Sequence, residues 1–136
     1  MDYQKMAEYR NTNNPYVQRQ NVLVEEIGPG YARVTKTVTP EDVNPLGVPH
    51  GGVYFTMADT ACGSAMASYG HMAVTMNASY NFFRSANPGD RLTAEAHEVK
   101  HGQTICVYDV RITDQNGALL GTGTFTFYQL EKTIDL

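Results

Sequence analysis

The chain has 136 residues, 42% of them hydrophobic and 18% charged, with a formal net charge of −4. That suffices for one globular domain with its own core, and a single domain over residues 1–136 is expected. No Lys/Arg cluster stands out, which argues against nucleic acid or an anionic membrane as partner, and no apolar run of about 18 residues could span a bilayer.

The polar start, MDYQKMAEYRNTNN, lacks the basic-then-apolar pattern of a secretion leader, so the cytoplasm is the expected location. Residues 2–10 predict a short helix with Met6 and Tyr9 on one side, broken by NNPYV. Residues 20–28 and 31–39 predict two strands joined at Gly28-Pro29-Gly30. A loop with three prolines, PEDVNPLGVPHGG, leads into a helix expected from Val53 to about Tyr69. Four strand-like runs follow, near 73–84, 91–100, 104–113 and 119–130, with turn chemistry at NPGD, HGQ and DQNG. This order predicts an α+β domain, an antiparallel sheet wrapped on one long helix. Ala58, Ala61, Gly63, Ser64, Ala65, Ala67 and Ser68 would let a curved sheet approach that helix closely. Alternation over 73–84 predicts Val74, Met76, Ala78, Tyr80 and Phe82 on the helix side, with Thr75, Asn77, Ser79 and Asn81 on the polar side.

Cys62 and Cys106 each sit among apolar neighbours and read as free buried thiols. His50, His71, His97 and His101 lack ligand spacing with them, so neither a metal nor a cofactor is expected.

Asp59 is the only formally charged residue between Asp42 and Arg84. Helical positions Phe55, Asp59, Cys62 and Met66 fall on one arc, which places the carboxylate on an apolar stripe. An ionised carboxylate buried without partners costs several kcal/mol. Either hydroxyls such as Thr60 and Ser64 hold it, or it has chemical work to do. Upstream, HGG at 50–52 stands where the loop enters the helix. A helix N-terminus offers unpaired N–H groups and partial positive charge, and glycine lets a ligand reach the backbone. Such a place suits the oxyanion of acyl transfer. Eight residues separate Gly51 from Asp59, roughly 12 Å along a helix axis at 1.5 Å per residue. One carbonyl cannot contact both. If both act on one substrate, they come from different subunits.

Asn44, HGG at 50–52 and MADTA at 57–61 together resemble the hotdog-fold acyl-CoA thioesterases of the PaaI-like, phenylacetate-degradation type. The PGD turn, the HGQT loop and the small-residue run before the last strand extend the resemblance over residues 17–130. The resemblance implies a six-stranded antiparallel sheet around one central helix, with dimers that join sheets edge to edge. It further implies an obligate homodimer and, beyond it, a homotetramer. By the same resemblance Asp59 is the general base or nucleophile, and the Gly51 N–H is the partner's oxyanion donor. Asn44 orients water or thioester, and His50 positions the loop. Gly52, Thr60, Ser64, Arg84, Gly102 and Gln103 are expected to line the acyl-CoA path, with Arg84 and Arg91 as candidates for the CoA phosphates. Tyr54, Phe55, Tyr69, Tyr80, Phe82 and Phe83 are candidates for an aryl pocket. One departure stands out. Several relatives carry a water-holding Ser or Thr at one of two positions, which are Gly63 and Ala73 here, leaving Thr75 or Ser64 as substitutes.

The expected activity is hydrolysis of a small or aromatic acyl-CoA to the acid and CoA. The alternatives are a hotdog enoyl-CoA hydratase/dehydratase, with His50 and Asp59 sharing proton transfer, and a non-catalytic acyl-CoA binder.

Overall fold

The computed structural model describes residues 1–136. Two short helices, α1 (Tyr3–Thr12) and α2 (Pro15–Arg19), precede strands β1 (Leu23–Gly28) and β2 (Tyr31–Thr37). The long helix α3 spans Gly51–Ala67. Strands β3 (His71–Phe82), β4 (Arg91–His101), β5 (Ile105–Thr113) and β6 (Leu119–Thr133) complete the chain. The six strands form one antiparallel sheet in the order β1-β2-β4-β5-β6-β3. As expected, it curls round α3, which touches every strand.

Small side chains explain this close wrap. Ala58, Ala61, Ser64, Ala65, Ala67 and Ser68 are all buried, while Met57 and Met66 fill the remaining space. Deleting either methionine side chain would cost about 2–5 kcal/mol through lost transfer energy and the cavity left behind. Cys62 and Cys106 are free and buried.

Two details depart from the sequence reading. NNPYV was expected only to break the first helix, yet Pro15 opens α2, because a missing N–H is harmless at a first helical position. The simple alternation of β3 also fails. A register shift between Thr75 and Asn77 inserts a bulge against β6. Ala73 packs on the core before it, and Ala78 and Tyr80 pack on the core after it. Val74 and Met76, expected on the helix side, are more than half exposed. Thr75, expected outward, turns to α3 instead.

The two sheet edges differ. The Asn11 side chain receives the Val24 N–H and donates to the Val24 carbonyl, so α1 occupies the β1 edge. Nothing in the chain covers the edge of β3, where Val74, Met76 and Phe82 are exposed. No helix is long and apolar enough to cross a membrane.

Candidate active site

The loop before α3 is tied down at several points. Lys36 is buried at 3% exposure, and its Nζ lies 3.2 Å from Asp42 Oδ1 while donating to the Gln20 carbonyl. Burial pushes the Asp42 carboxyl up. The Thr39 N–H and Lys36 outweigh it and hold the group below the usual carboxylate value. The His50 N–H donates to the Asp42 carbonyl at 2.9 Å, and Val43 bridges Pro49. His50 then caps α3, its Nδ1 accepting the Gly52 N–H at 2.9 Å. The Gly51 N–H, first in the helix, donates to no group of the chain.

Two separate cavities hold the predicted chemistry. One, of about 290 Å³, opens at the helix start between Pro49, Gly51, Tyr54, Phe82, Phe83 and Arg84. The other, of about 210 Å³, lies mid-helix and includes Asp59, Gly63, Ala73, Thr75, Phe127 and Arg10. No residue lines both. Within one chain, Gly51 and Asp59 therefore open into different cavities.

Asp59 is half-buried on the open face of α3, next to exposed Phe55, rather than on a stripe sealed inside the core. Thr75 Oγ1 donates to its Oδ1 at 2.6 Å, and Oδ2 accepts no hydrogen bond. Of the two substitutes for the missing Ser or Thr, the fold brings Thr75 to the acid. The bulge in β3 makes this possible by setting Thr75 on the helix side.

Arg10, which the sequence reading did not single out, enters the same cavity from the last turn of α1. Its Nε donates to Ser64 Oγ at 2.8 Å. A Cβ on Gly63 would lie 3.1 Å from Arg10 Nη2, so glycine there leaves room for the guanidinium. Burial lowers the Arg10 pKa, and the nearby charge of Asp59 pushes it back up. The only trace of this in the sequence is Gly63 itself, where the resemblance leads one to expect a hydroxyl.

The remaining predicted residues divide. Asn44 Oδ1 closes the 44–48 turn by accepting the Leu46 N–H at 3.0 Å, and Asn44 lines neither cavity. Thr60 is buried and donates back to the Thr56 carbonyl, while buried Ser64 lies beneath Arg10. His50 and Gly52 line a further hollow with Asp42 and Val53. Arg84 is exposed at the Gly51 cavity, and its guanidinium bonds nothing in the chain. Arg91 is instead held by Glu25 at 3.1 Å and by Thr35. Gly102 makes the β4–β5 turn, where a Cβ would collide with the Ile105 carbonyl at 2.5 Å. Gln103 lines a hollow with His71 and Gln129. Of the six candidate aromatics, Tyr54, Phe82 and Phe83 border the Gly51 cavity, and none borders the Asp59 cavity.

Comparison with known proteins places the chain's family and fold. The model of the thioesterase superfamily matches residues 46–120, more than half of the chain. Over 86 residues the chain is 41% identical to the acyl-coenzyme A thioesterase PaaI of Escherichia coli K12, covering 63% of this chain and 61% of that protein. The structure of the E. coli PaaI protein from the phenylacetic acid degradation operon superposes with a TM-score of 0.92 at 30% identity, covering 97% of this chain and 96% of that one. A protein named as a hypothetical thioesterase from Streptococcus pneumoniae TIGR4, solved with coenzyme A, superposes at 0.80 with 33% identity, covering 85% and 90%. Two further structures of that protein replace an aspartate and a threonine by alanine. Those positions are 16 apart, the spacing of Asp59 and Thr75 here.

Proposed function

The chain belongs to the thioesterase superfamily and has its hotdog fold, and from that premise we propose that it hydrolyses small acyl-CoA thioesters at a site shared between two subunits. The observation that carries the reading is the split between the free Gly51 N–H and the Asp59 carboxylate.

In the mechanism, Asp59 Oδ2, which no group of the chain occupies, takes a proton from water as that water attacks the thioester carbonyl. Thr75 holds the other carboxylate oxygen and so fixes the plane of the acid. The Gly51 N–H of the neighbouring subunit meets the oxyanion, aided by the partial positive charge at the N-terminus of α3. Collapse breaks the C–S bond and releases CoA, whose sulfur takes up the proton. Direct attack by Asp59 on the carbonyl uses the same groups and leaves an anhydride for water to open. Single turnover in oxygen-18 water identifies the anhydride route when water opens it at the aspartyl carbon, because label then stays in the carboxylate of Asp59, whereas direct attack by water labels only the product acid.

His50 has a positioning role as the cap of α3 and is not the base. Its Nδ1 is engaged with the Gly52 N–H, which weighs against the hydratase reading. Asn44 supports the loop. Arg84, free beside Gly51, is the cation offered to the CoA phosphates, while Arg91 is spent on Glu25. Gln103, in the β4–β5 turn with Gly102, lines a hollow that shares His71 with the Asp59 cavity, and both are kept as candidates for the acyl-CoA path.

A homodimer is part of the proposal. Exposed Val74, Met76 and Phe82 on an uncovered strand edge form the surface that edge-to-edge pairing of β3 would bury. A tetramer would stack such dimers. Two buried free thiols suit a reducing compartment, which supports the cytoplasm as the proposed location.

The test is thiol release over a panel of acyl-CoAs, with Asp59→Asn as control. Turnover by the wild type and its near-complete loss in D59N support the reading. Full activity in D59N sinks it. Coenzyme A binding without any thiol release would support the non-catalytic alternative.

A further inference from the structure

Arg10 has no carboxylate partner. The ion pairs of the chain are Arg33–Glu26, Lys36–Asp42 and Arg91–Glu25. Of the five N–H donors of the Arg10 guanidinium, only the one on Nε is used, and it is given to Ser64. That bond sets the plane of the fork from a hydroxyl that is itself 0% exposed. Gly63 clears the space for Nη2. The other donors therefore lie in the 210 Å³ cavity that also contains Asp59. An arginine partly removed from water, oriented from behind and left without an acceptor in front, is arranged to receive a ligand.

Of common ligand groups, a carboxylate fits the guanidinium fork best, because it accepts two parallel N–H bonds and matches the charge. Asp59 does not fill that role, since it forms no ion pair with Arg10 and is bonded to Thr75. The other polar groups lining the cavity, Asn14, His71 and Thr75, include no second acid. At ~30 Å³ for a water-sized group, the cavity accommodates on the order of seven such groups, a short acyl chain. The same cavity is lined by the apolar side chains of Met66, Ala67, Met72, Ala73, Phe127 and Ile134.

We propose that Arg10 is a specificity-determining residue that binds a carboxylate at the far end of the acyl group, so that the preferred substrates are CoA monothioesters of short dicarboxylic acids. This rests on the thioesterase reading for Asp59 and adds the class of acyl group. The thioester carbonyl sits at Asp59, the methylenes cross the apolar wall and the distal carboxylate meets the guanidinium.

The experiment compares glutaryl-CoA with pentanoyl-CoA, which share a five-carbon acyl chain and differ in the terminal group. The wild type is expected to show the higher kcat/KM for glutaryl-CoA. Arg10→Met should lower the glutaryl-to-pentanoyl ratio about 10- to 100-fold, the range for a hydrogen bond between charged groups. Arg10→Lys, which keeps the charge and loses the fork, should fall between. A wild-type preference for pentanoyl-CoA, or an Arg10→Met variant that slows both substrates equally, overturns the proposal. Thermal melting checks that each variant folds, and Arg10→Lys carries the comparison if Arg10→Met does not. The same pair as non-hydrolysable thioethers, titrated by calorimetry, separates this proposal from the one beneath it. A carboxylate-dependent loss of affinity in the variants with no turnover of any thioester contradicts only the hydrolase reading. Equal affinity for both thioethers contradicts the role of Arg10, whatever the turnover.

Discussion

Replacing Gly51 by proline removes one N–H and little else. Gly51 is the first residue of α3, where the N–H has no partner within the helix and proline is well tolerated. His50 has φ −57° and ψ 142°, an extended conformation suited to the residue before proline. A Cβ at position 51 would meet the Phe82 ring at 3.5 Å, an ordinary contact. The Gly52 N–H still reaches His50 Nδ1, so the cap survives. Stability should therefore hold, or rise by about 0.4–1 kcal/mol because the unfolded chain loses freedom. Activity should not hold. Loss of one oxyanion donor typically lowers kcat by about 10²–10³. Steady-state thiol release gives kcat, and a thermal melt of the same sample gives stability. A Gly51→Pro variant that melts like the wild type and keeps its full kcat would refute the oxyanion role of this N–H. A variant that loses both would show instead that the helix start cannot accept the ring.

Thr75→Val keeps the shape of the side chain but leaves Asp59 Oδ1 without its 2.6 Å partner, so kcat should fall about 10- to 100-fold, and an unchanged kcat would remove Thr75 from the site. Asp42→Asn breaks the pair with buried Lys36, which should cost about 3–5 kcal/mol at neutral pH and loosen the loop that presents Gly51. The pH dependence follows from the direction of the shift. The folded-state pKa of Asp42 is lowered, so its stabilisation is complete above the unfolded value near ~3.9 and is lost as pH falls through the folded value. Melting temperatures of wild type and D42N should therefore begin to converge below about pH 4 and meet once pH is below the folded value, and a gap that does not narrow in acid would contradict the assignment.

Much of the candidate site could be proposed from the sequence because its signals are local. A carboxylate alone in a long uncharged run, and glycines at a helix start, can be read from a few adjacent residues. The strands were legible for the same reason, since alternation and turn residues act over short spans. What escaped depends on contacts distant in sequence. Whether β3 keeps its alternation past Thr75 is decided by its pairing with β6, which no pattern within 73–84 encodes. The fates of Thr60 and Ser64 turned on whether each hydroxyl found a partner, Thr56 in one case and Arg10 in the other. Arg10 sits 54 residues before Ser64, and only the folded chain sets the two side by side. Asn44 matched a motif by position, yet its side-chain oxygen closes its own turn.

The central claim is that Gly51 of one subunit works with Asp59 of another, and mixed dimers test it most directly. Asp59→Asn and Gly51→Pro chains, each inactive alone, are unfolded together and refolded at equal concentration. Random pairing makes about half of the dimers hybrids, each with one intact site of two, so thiol release should recover to about a quarter of the wild-type rate. Recovery to that level supports a site built across the interface. A mixture whose hybrids are confirmed by mass and that remains as inactive as its parents would place both groups within one chain and contradict the account.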